Sequence, residues 1–140
     1  MESWKSFGKH LVRFEQDVAF VRLRGDLTGQ EIATLLDQLV KIEQPYGRIF
    51  EIVDAHAAGT VSAAARRENA EWHRRNHLCA DVVVYGGSVV LRTIFKLFGN
   101  AIRLFQKSDV LQMQFVATEA EAIEWVKQRR QELSKRTAKP

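Results

Sequence analysis

Three residue types that cooperate in many hydrolases occur close together in this sequence. Asp54, His56 and Ser62 provide an acid, a base and a hydroxyl nucleophile within nine residues. A catalytic triad needs the histidine between the serine and the acid, with an oxyanion hole beside the nucleophile. The sequence has no Gly-x-Ser-x-Gly turn that would present the serine in this way. We therefore keep a small hydrolase as an alternative only, and predict that the protein is not an enzyme.

A second group of residues has spacing that a metal ion could use. His73 and His77 are four residues apart on one face of a predicted helix, and Cys79 follows. The helix lacks the glutamate of a His-Glu-x-x-His motif, and its polarity predicts that it is solvated. We predict neither a metal site nor a cofactor here.

Positive charge is concentrated in two places. The same predicted helix carries four arginines without the aromatic side chains on which single-stranded nucleic acids stack, namely Arg66, Arg67, Arg74 and Arg75. Residues 127–140 contain six cations and one acid, so the remaining chain is close to neutral although the whole chain carries +4. We predict a solvated basic tail that frays beyond the last helix, and no specific nucleic-acid partner.

A glycine-rich turn offers a candidate site for a ligand or an anion. Gly86, Gly87 and Ser88 end an apolar strand and begin a helix, with Arg92 one turn further and Asp54 predicted at the same sheet edge. Free N–H groups at a helix start favour anions, and ligands bind beyond the carboxyl ends of parallel strands. The alternative is a plain turn beside a surface arginine, because no complete phosphate-binding motif is present.

The helix predicted from residue 88 to about 107 has an apolar face wider than packing on a sheet requires. Phe95 and Leu104 are predicted at the two rims of this face. The extra width could pack on a neighbouring helix, line a pocket for an apolar ligand, form a dimer interface or contact a membrane surface. The candidate residues for such a pocket or interface are Phe95, Phe98, Ile102, Leu104 and Phe105.

The elements that position these residues alternate along the chain. Apolar periodicity predicts the order β-β-α-β-α-β-α-β-α, which is typical of a single α/β domain with about five strands and four helices. The first two strands form an antiparallel hairpin and the rest a parallel sheet. The predicted domain covers residues 9–127, between an extension at 1–8 and the end of the last helix and tail at 128–140. Two threonine–glutamate capping boxes, Thr28/Glu31 and Thr118/Glu121, predict the starts of two helices.

Four stretches together resemble the SpoIIAA-like family of the STAS superfamily, whose architecture is also similar to CRAL-TRIO lipid-binding domains. They are Arg24–Thr28, Ile52–Asp54 with the following small residues, Val84–Ser88 with Arg92, and Phe115–Trp125. The resemblance implies a non-enzymatic domain that binds a ligand or a partner.

The same resemblance implies a phosphorylatable serine, usually preceded by an aspartate, at the start of the second helix. Here Ser62 follows Val61 and is out of register, so we predict that it caps the helix, with a phosphorylation switch as the alternative.

We predict a cytoplasmic, non-catalytic domain that binds an apolar or lipid-like molecule or a protein partner through its third helix and adjacent strand-end loops. A homodimer and at most peripheral membrane contact are compatible with this prediction. Composition agrees, because the single cysteine, Cys79, suits a reducing compartment and no apolar run is long enough to span a bilayer.

Overall fold

The computed structural model describes residues 3–103 and 111–138. In this part the chain forms six strands and four helices, in the alternating order that the sequence predicts. The elements are β1 (Lys5–Phe7), β2 (His10–Glu15), β3 (Val18–Leu27), α1 (Gly29–Glu43), β4 (Ile49–Val61), α2 (Ala63–Arg75), β5 (Ala80–Tyr85), α3 (Val89–Arg103), β6 (Leu111–Val116) and α4 (Glu119–Ala138).

All six strands belong to one sheet in the order β1-β2-β3-β4-β5-β6. The first three strands pair antiparallel, and β3 to β6 pair parallel. β5 is buried along its whole length, as expected for a strand covered on both faces. This mixed α/β single domain confirms the predicted fold class. The sixth strand, β1, was not predicted, because three residues are too short to show a period.

The two faces of the sheet are covered unequally. One face packs against α1, α2 and α3 and holds the larger apolar core, which includes Val21, Val53 and Val82. Among the described elements, α4 is the one that packs on the other face, around a smaller cluster that includes Phe50 and Val83. Alternation along β4 and β5 sends successive side chains to opposite cores.

Two strands continue where the sequence predicts loops. β3 runs through Gly25 to Leu27, and β4 runs from Ile49 through the small residues to Val61. The two extensions pair with each other across two register irregularities, so their backbone polar groups are satisfied as a parallel ladder. Asp26 joins them further, because its Oδ1 accepts from the Thr60 N–H at 2.8 Å and from the Thr60 hydroxyl at 3.1 Å. The predicted loop at residues 56–61 is therefore wrong.

Helix starts follow the predicted capping residues. Thr28 and Glu31 form a complete capping box before α1, and the Ser62 hydroxyl accepts from the Ala65 N–H at 3.0 Å before α2. Before α4 the Thr118 hydroxyl accepts from the Glu121 N–H, whereas the Glu121 carboxylate accepts from the N–H of Ala117 instead of that of Thr118. This second box is therefore only half formed.

The basic C-terminal segment is helical as far as Ala138, so the prediction of a frayed tail is wrong for residues 127–138. α4 continues to Ala138, and Arg129 is 7% exposed and donates to Asp81 Oδ2 at 3.0 Å. Asp81 is fully buried and also accepts from Arg48 at 2.9 Å. Arg130 pairs with Asp17 and lies over the ring of Phe50, 4.7 Å from its centroid. The ion pairs of Arg129 and Arg130 therefore hold α4 against the sheet. A count of net charge does not reveal such pairs.

Candidate functional site

Polar side chains form a row across three strands at the carboxyl end of the sheet, on the face that α4 covers. Arg22, Asp54 and Tyr85 are register neighbours on β3, β4 and β5. The Tyr85 hydroxyl donates to Glu119 Oε2 at 2.9 Å, and burial together with this hydrogen bond raises the pKa of Tyr85. Partial burial raises the pKa of Asp54, but hydrogen bonds from the backbone and ring of His56 outweigh it and hold that pKa below its usual value.

The predicted glycine-rich site lies beside this row. Gly86 and Gly87 have φ of 75° and 81°, and a Cβ on Gly86 would lie 2.6 Å from Nδ1 of His56. Ser88 uses its hydroxyl to accept from the N–H of Leu91 at 3.1 Å. Conformation and close packing therefore explain both glycines, and the serine is a helix cap. Binding of an anion by this turn and half-buried Arg92 stays a prediction.

The structure separates the residues of the alternative catalytic triad. Asp54 and His56 form a pair, with His56 Nδ1 2.9 Å from Asp54 Oδ1 and the ring 65% exposed. Ser62 comes six residues later, and β4 stays extended as far as Val61. Six extended residues span about 20 Å, so the strand carries Ser62 away from the histidine.

The two histidines of α2 occupy different environments. His73 is buried and its ring packs edge-on against Trp72, with ring centroids 5.1 Å apart, whereas His77 is exposed beyond the end of the helix. The buried face of α2 consists of Ala65, Asn69, Trp72 and His73. The sequence predicts a helix that is polar for most of its circumference and rests on Ala63, Ala70 and Trp72; Trp72 is buried as predicted, but the prediction of a solvated face is wrong for His73. Within residues 3–103 and 111–138 no three histidine, cysteine or acidic side chains are grouped to hold a metal ion.

α3 has an apolar buried face and an apolar exposed flank. Phe95 and Phe98 are each 8% exposed, and their ring centroids are 5.8 Å apart. Val90 and Leu97 are 70% and 54% exposed, so they form the exposed rim. The prediction that places Phe95 on the rim is wrong, because α3 is rotated to bury it against the sheet.

The other predicted α3 residues cannot be placed. Leu104 and Phe105 lie outside the described residues, as does the side chain of Ile102. No helix in the described ranges is long and apolar enough to cross a membrane.

A cavity of about 100 Å³ lies between the sheet and the three helices on its larger core side. Its wall is almost entirely apolar and is formed by side chains from the four parallel strands and from α1, α2 and α3. The lining includes Val21, Ile32, Leu36, Val82, Phe95 and Phe98. Two of the five apolar candidates predicted on the third helix therefore meet at one cavity.

Three polar side chains also line this cavity, namely Glu51 from β4 and Asn69 and His73 from α2. Burial raises the pKa of Glu51 to about 7, so this acid is partly protonated at neutral pH. Burial lowers the pKa of His73 to about 4, which keeps its imidazole neutral. The surface that Glu51 retains faces the cavity, since its neighbours Phe50 and Ile52 point to the opposite core.

Sequence reasoning missed Glu51 and Asn69 and considered His73 only as a possible metal ligand, although the pattern places all three on buried faces. Glu51 alternates with Ile49 and Val53 and therefore shares their face of the sheet. Asn69 and His73 are four apart and follow Ala65 at the helical period. The general polarity of α2 hid this stripe, because two polar residues stand where apolar ones are expected.

Comparisons with known proteins identify the architecture. No family model matches the chain, and no curated protein matches its sequence. A solved structure, that of the anti-sigma factor antagonist SpoIIAA in its unphosphorylated form, superimposes with a TM-score of 0.53. The match has 13% sequence identity and covers 89% of this chain and 98% of that one. The chain has a SpoIIAA-like fold.

A second structure supports the same assignment. An uncharacterized protein of the DUF3478 family from Shewanella loihica PV-4, described as having a SpoIIAA-like fold, also gives a TM-score of 0.53. Its identity is 14%, over 81% of this chain and 88% of that one. The resemblance inferred from the four sequence stretches is confirmed at the level of the fold.

Within this SpoIIAA-like fold Ser62 is the N-cap of α2, and it is exposed. Its hydroxyl oxygen already accepts a hydrogen bond, yet an accepting oxygen can still be modified. Phosphorylation of Ser62 therefore stays a prediction, while its capping role is confirmed.

Proposed function

We propose that this chain is a non-catalytic regulatory domain that binds a small apolar molecule in the cavity beneath α3. The observation that carries the proposal is the cavity itself, because it is walled by Phe95, Phe98 and aliphatic side chains from the sheet and α1. Apolar cavities of similar size, about 150 Å³, stay dry and take up benzene. A volume of about 100 Å³ suits a ligand of that size and excludes a lipid chain that lies wholly inside.

The absence of catalysis is part of the same proposal. Asp54 and His56 form a pair without Ser62, and Tyr85 is held in its neutral form by burial and by Glu119. We expect Ser62→Ala and His56→Ala to leave a folded protein with the same response as wild type in a broad hydrolase screen. A turnover that depends on Ser62 would restore the hydrolase alternative.

Titration with benzene, followed by NMR spectra of methyl groups, tests the cavity. We expect shifts confined to residues that line it, such as Val82 and Leu36, with saturation at millimolar concentration. Ala80→Val is the matched variant, because Ala80 is buried in the wall and the added methyl groups reduce the free volume. Unchanged spectra in wild type, or equal affinity in a folded Ala80→Val variant, would contradict ligand binding at this place.

The exposed flank of α3 suggests contact with a protein as a second function. Val89, Val90 and Leu97 are 76%, 70% and 54% exposed, and such large apolar side chains are enriched where proteins associate. We propose a second copy of the chain as the partner. Sedimentation equilibrium should give a dimer that Leu97→Asp dissociates, with Thr34→Asp on the exposed side of α1 as the control away from this surface. A monomer at all concentrations would exclude this homodimer.

A further inference from the structure

The cavity proposed above as a ligand site contains more hydrogen-bonding capacity than its walls use, and the inference here depends on that proposed function. Glu51 forms no hydrogen bond or ion pair with any described residue. The Asn69 side-chain amide, 7% exposed, likewise has no hydrogen-bond partner in the described ranges. The polar atoms of both side chains border the cavity and are not sealed in the core, so water or a ligand must supply their hydrogen bonds.

An unpartnered carboxyl group is costly in this position. Burial alone displaces the pKa of Glu51 to about 7, with no compensating contact from a cation or a donor. A ligand that brings a positive charge or several N–H groups to Glu51 would remove that cost. β4 pairs with β3 and β5 on its two sides, which fixes the backbone of Glu51 at the cavity wall.

The other groups that face Glu51 define the sign of charge that the cavity accepts. From α2 they are Asn69 and the neutral imidazole of His73. From α1 and α3 they are apolar, chiefly Leu35, Phe95 and Phe98. No lysine or arginine occurs among the described residues of the wall, so an anionic ligand would find no counter-charge.

We propose that the cavity selects a small apolar amine, whose nitrogen donates to the Glu51 carboxylate and to the Asn69 amide oxygen. The apolar part, about five or six carbon atoms, fills the space beside Phe95 and Phe98. An ammonium group has three N–H donors and no acceptor, which suits a carboxylate and an amide oxygen as its partners. A neutral apolar molecule would fill the same space and leave both acceptors unsatisfied.

Three probes of one size and different head groups test this selection. Cyclopentylamine, cyclopentanol and cyclopentanecarboxylate are titrated into the full-length protein at pH 7.5, and dissociation constants come from the methyl resonances of the cavity wall. Charge-assisted hydrogen bonds are stronger than neutral ones, so the amine should bind with an affinity about tenfold higher than that of the alcohol. The carboxylate should bind most weakly of the three.

Two variants locate the selectivity. Glu51→Gln is nearly isosteric. In this variant the amine and the alcohol should bind with about equal affinity. Glu71→Gln, on the exposed side of α2, should retain the full preference and shows that surface carboxylates are not responsible.

Each outcome decides between the two proposals. Equal or tighter binding of the alcohol in wild type, or a preference that persists in folded Glu51→Gln, overturns selection of an amine but leaves the ligand cavity intact. Failure of benzene and of all three probes to shift the wall resonances overturns the cavity function and the inference together.

Discussion

Glu51 shows how a single residue can be placed against its own solvation preference. It lies near the start of β4, between side chains that pack in the α4 core, and it lines the same cavity as His73. Burial moves the two pKa values in opposite directions, to about 7 for the acid and about 4 for the imidazole. Both groups are therefore mainly or partly neutral near pH 7, and each gives the stability a different dependence on pH.

The first prediction is that Glu51→Gln changes the pH dependence of stability. An acid whose pKa is raised by folding stabilises the protein below its unfolded pKa of about 4.5, and that contribution is lost as pH rises to about 7. We expect the variant to gain stability over wild type between pH 5 and 8, by up to about 3 kcal/mol. Urea denaturation at pH 5, 6, 7 and 8 measures the difference.

His73 does not obscure this comparison. Its lowered pKa removes stability as pH falls from about 6.5 towards 4, but it does so in both proteins and cancels in the difference. Glu71→Gln serves as the exposed control and should follow wild type at every pH. Parallel curves for Glu51→Gln and wild type would mean that the acid is solvated in the native state.

The second prediction separates the capping role of Ser62 from a chemical one. Ser62→Ala removes the acceptor for the Ala65 N–H and should lower the free energy of unfolding by about 1 kcal/mol. Ser62→Asp keeps an acceptor and places a negative charge at the helix start, so it should be close to neutral. Thermal unfolding of both variants measures this. Equal destabilisation by alanine and aspartate would show that Ser62 does not stabilise the protein through its role as a helix cap.

At the scale of elements, α3 has two apolar surfaces with different roles. Its inner side chains wall the cavity, whereas Val90 and Leu97 point to solvent although they belong to the same wide apolar arc. The sequence predicts the width of the arc, because hydrophobicity is periodic. It does not predict the rotation of the helix, which depends on how α2 and β6 pack against it.

The third prediction compares neighbouring residues on α3. Phe95→Ala and Phe98→Ala should each cost about 3–5 kcal/mol, because both rings are buried and their loss enlarges an existing cavity. Leu97→Ala should cost less than about 0.5 kcal/mol, since more than half of that side chain is exposed. Chemical denaturation of the three variants measures the costs. If Phe95→Ala lowered the free energy of unfolding only slightly and Leu97→Ala lowered it strongly, the helix would be rotated differently.

At the scale of the whole molecule, the sequence predicts the order of elements and the class of fold, because capping residues and apolar periodicity are local. The continuation of β3 and β4 through Gly25 and Gly59 is not predictable in this way, since the two extensions pair with each other although they are distant in sequence. The candidate site is predictable in part. Phe95 and Phe98 follow from the period of α3, whereas the cavity that joins them to Glu51 is a property of three packed helices.

Whether the basic C-terminal segment packs on the sheet also depends on tertiary contacts, which local sequence patterns do not predict. Charge counting treats Arg129 and Lys135 alike, but of these two the arginine donates to Asp81, on the sheet face that α4 covers. Removal of the guanidinium partner of a buried carboxylate typically lowers the free energy of unfolding by about 3–5 kcal/mol. Since α4 is the described element that covers the second face, its attachment determines how far that face is shielded from water.

The last prediction therefore concerns two truncations of α4. A chain that ends before Ser134 keeps Arg129 and Leu133, both of which contact the sheet or its core, and should melt within a few degrees of the full-length protein. A chain that ends before Lys127 loses both and leaves Asp81 with Arg48 as its remaining guanidinium partner. It should melt more than about 10 °C lower.

Differential scanning calorimetry of both truncations measures these shifts, and Arg129→Ala distinguishes loss of the ion pair from loss of helix length. Arg74→Ala is the matched control, because the Arg74–Glu71 pair is exposed and such pairs contribute less than about 1 kcal/mol. A large loss on ending before Ser134 would show that the final turns of α4 are docked as firmly as Arg129. A small loss for Arg129→Ala would instead mean that Arg48 alone compensates the charge of Asp81, and that α4 is held by its apolar contacts.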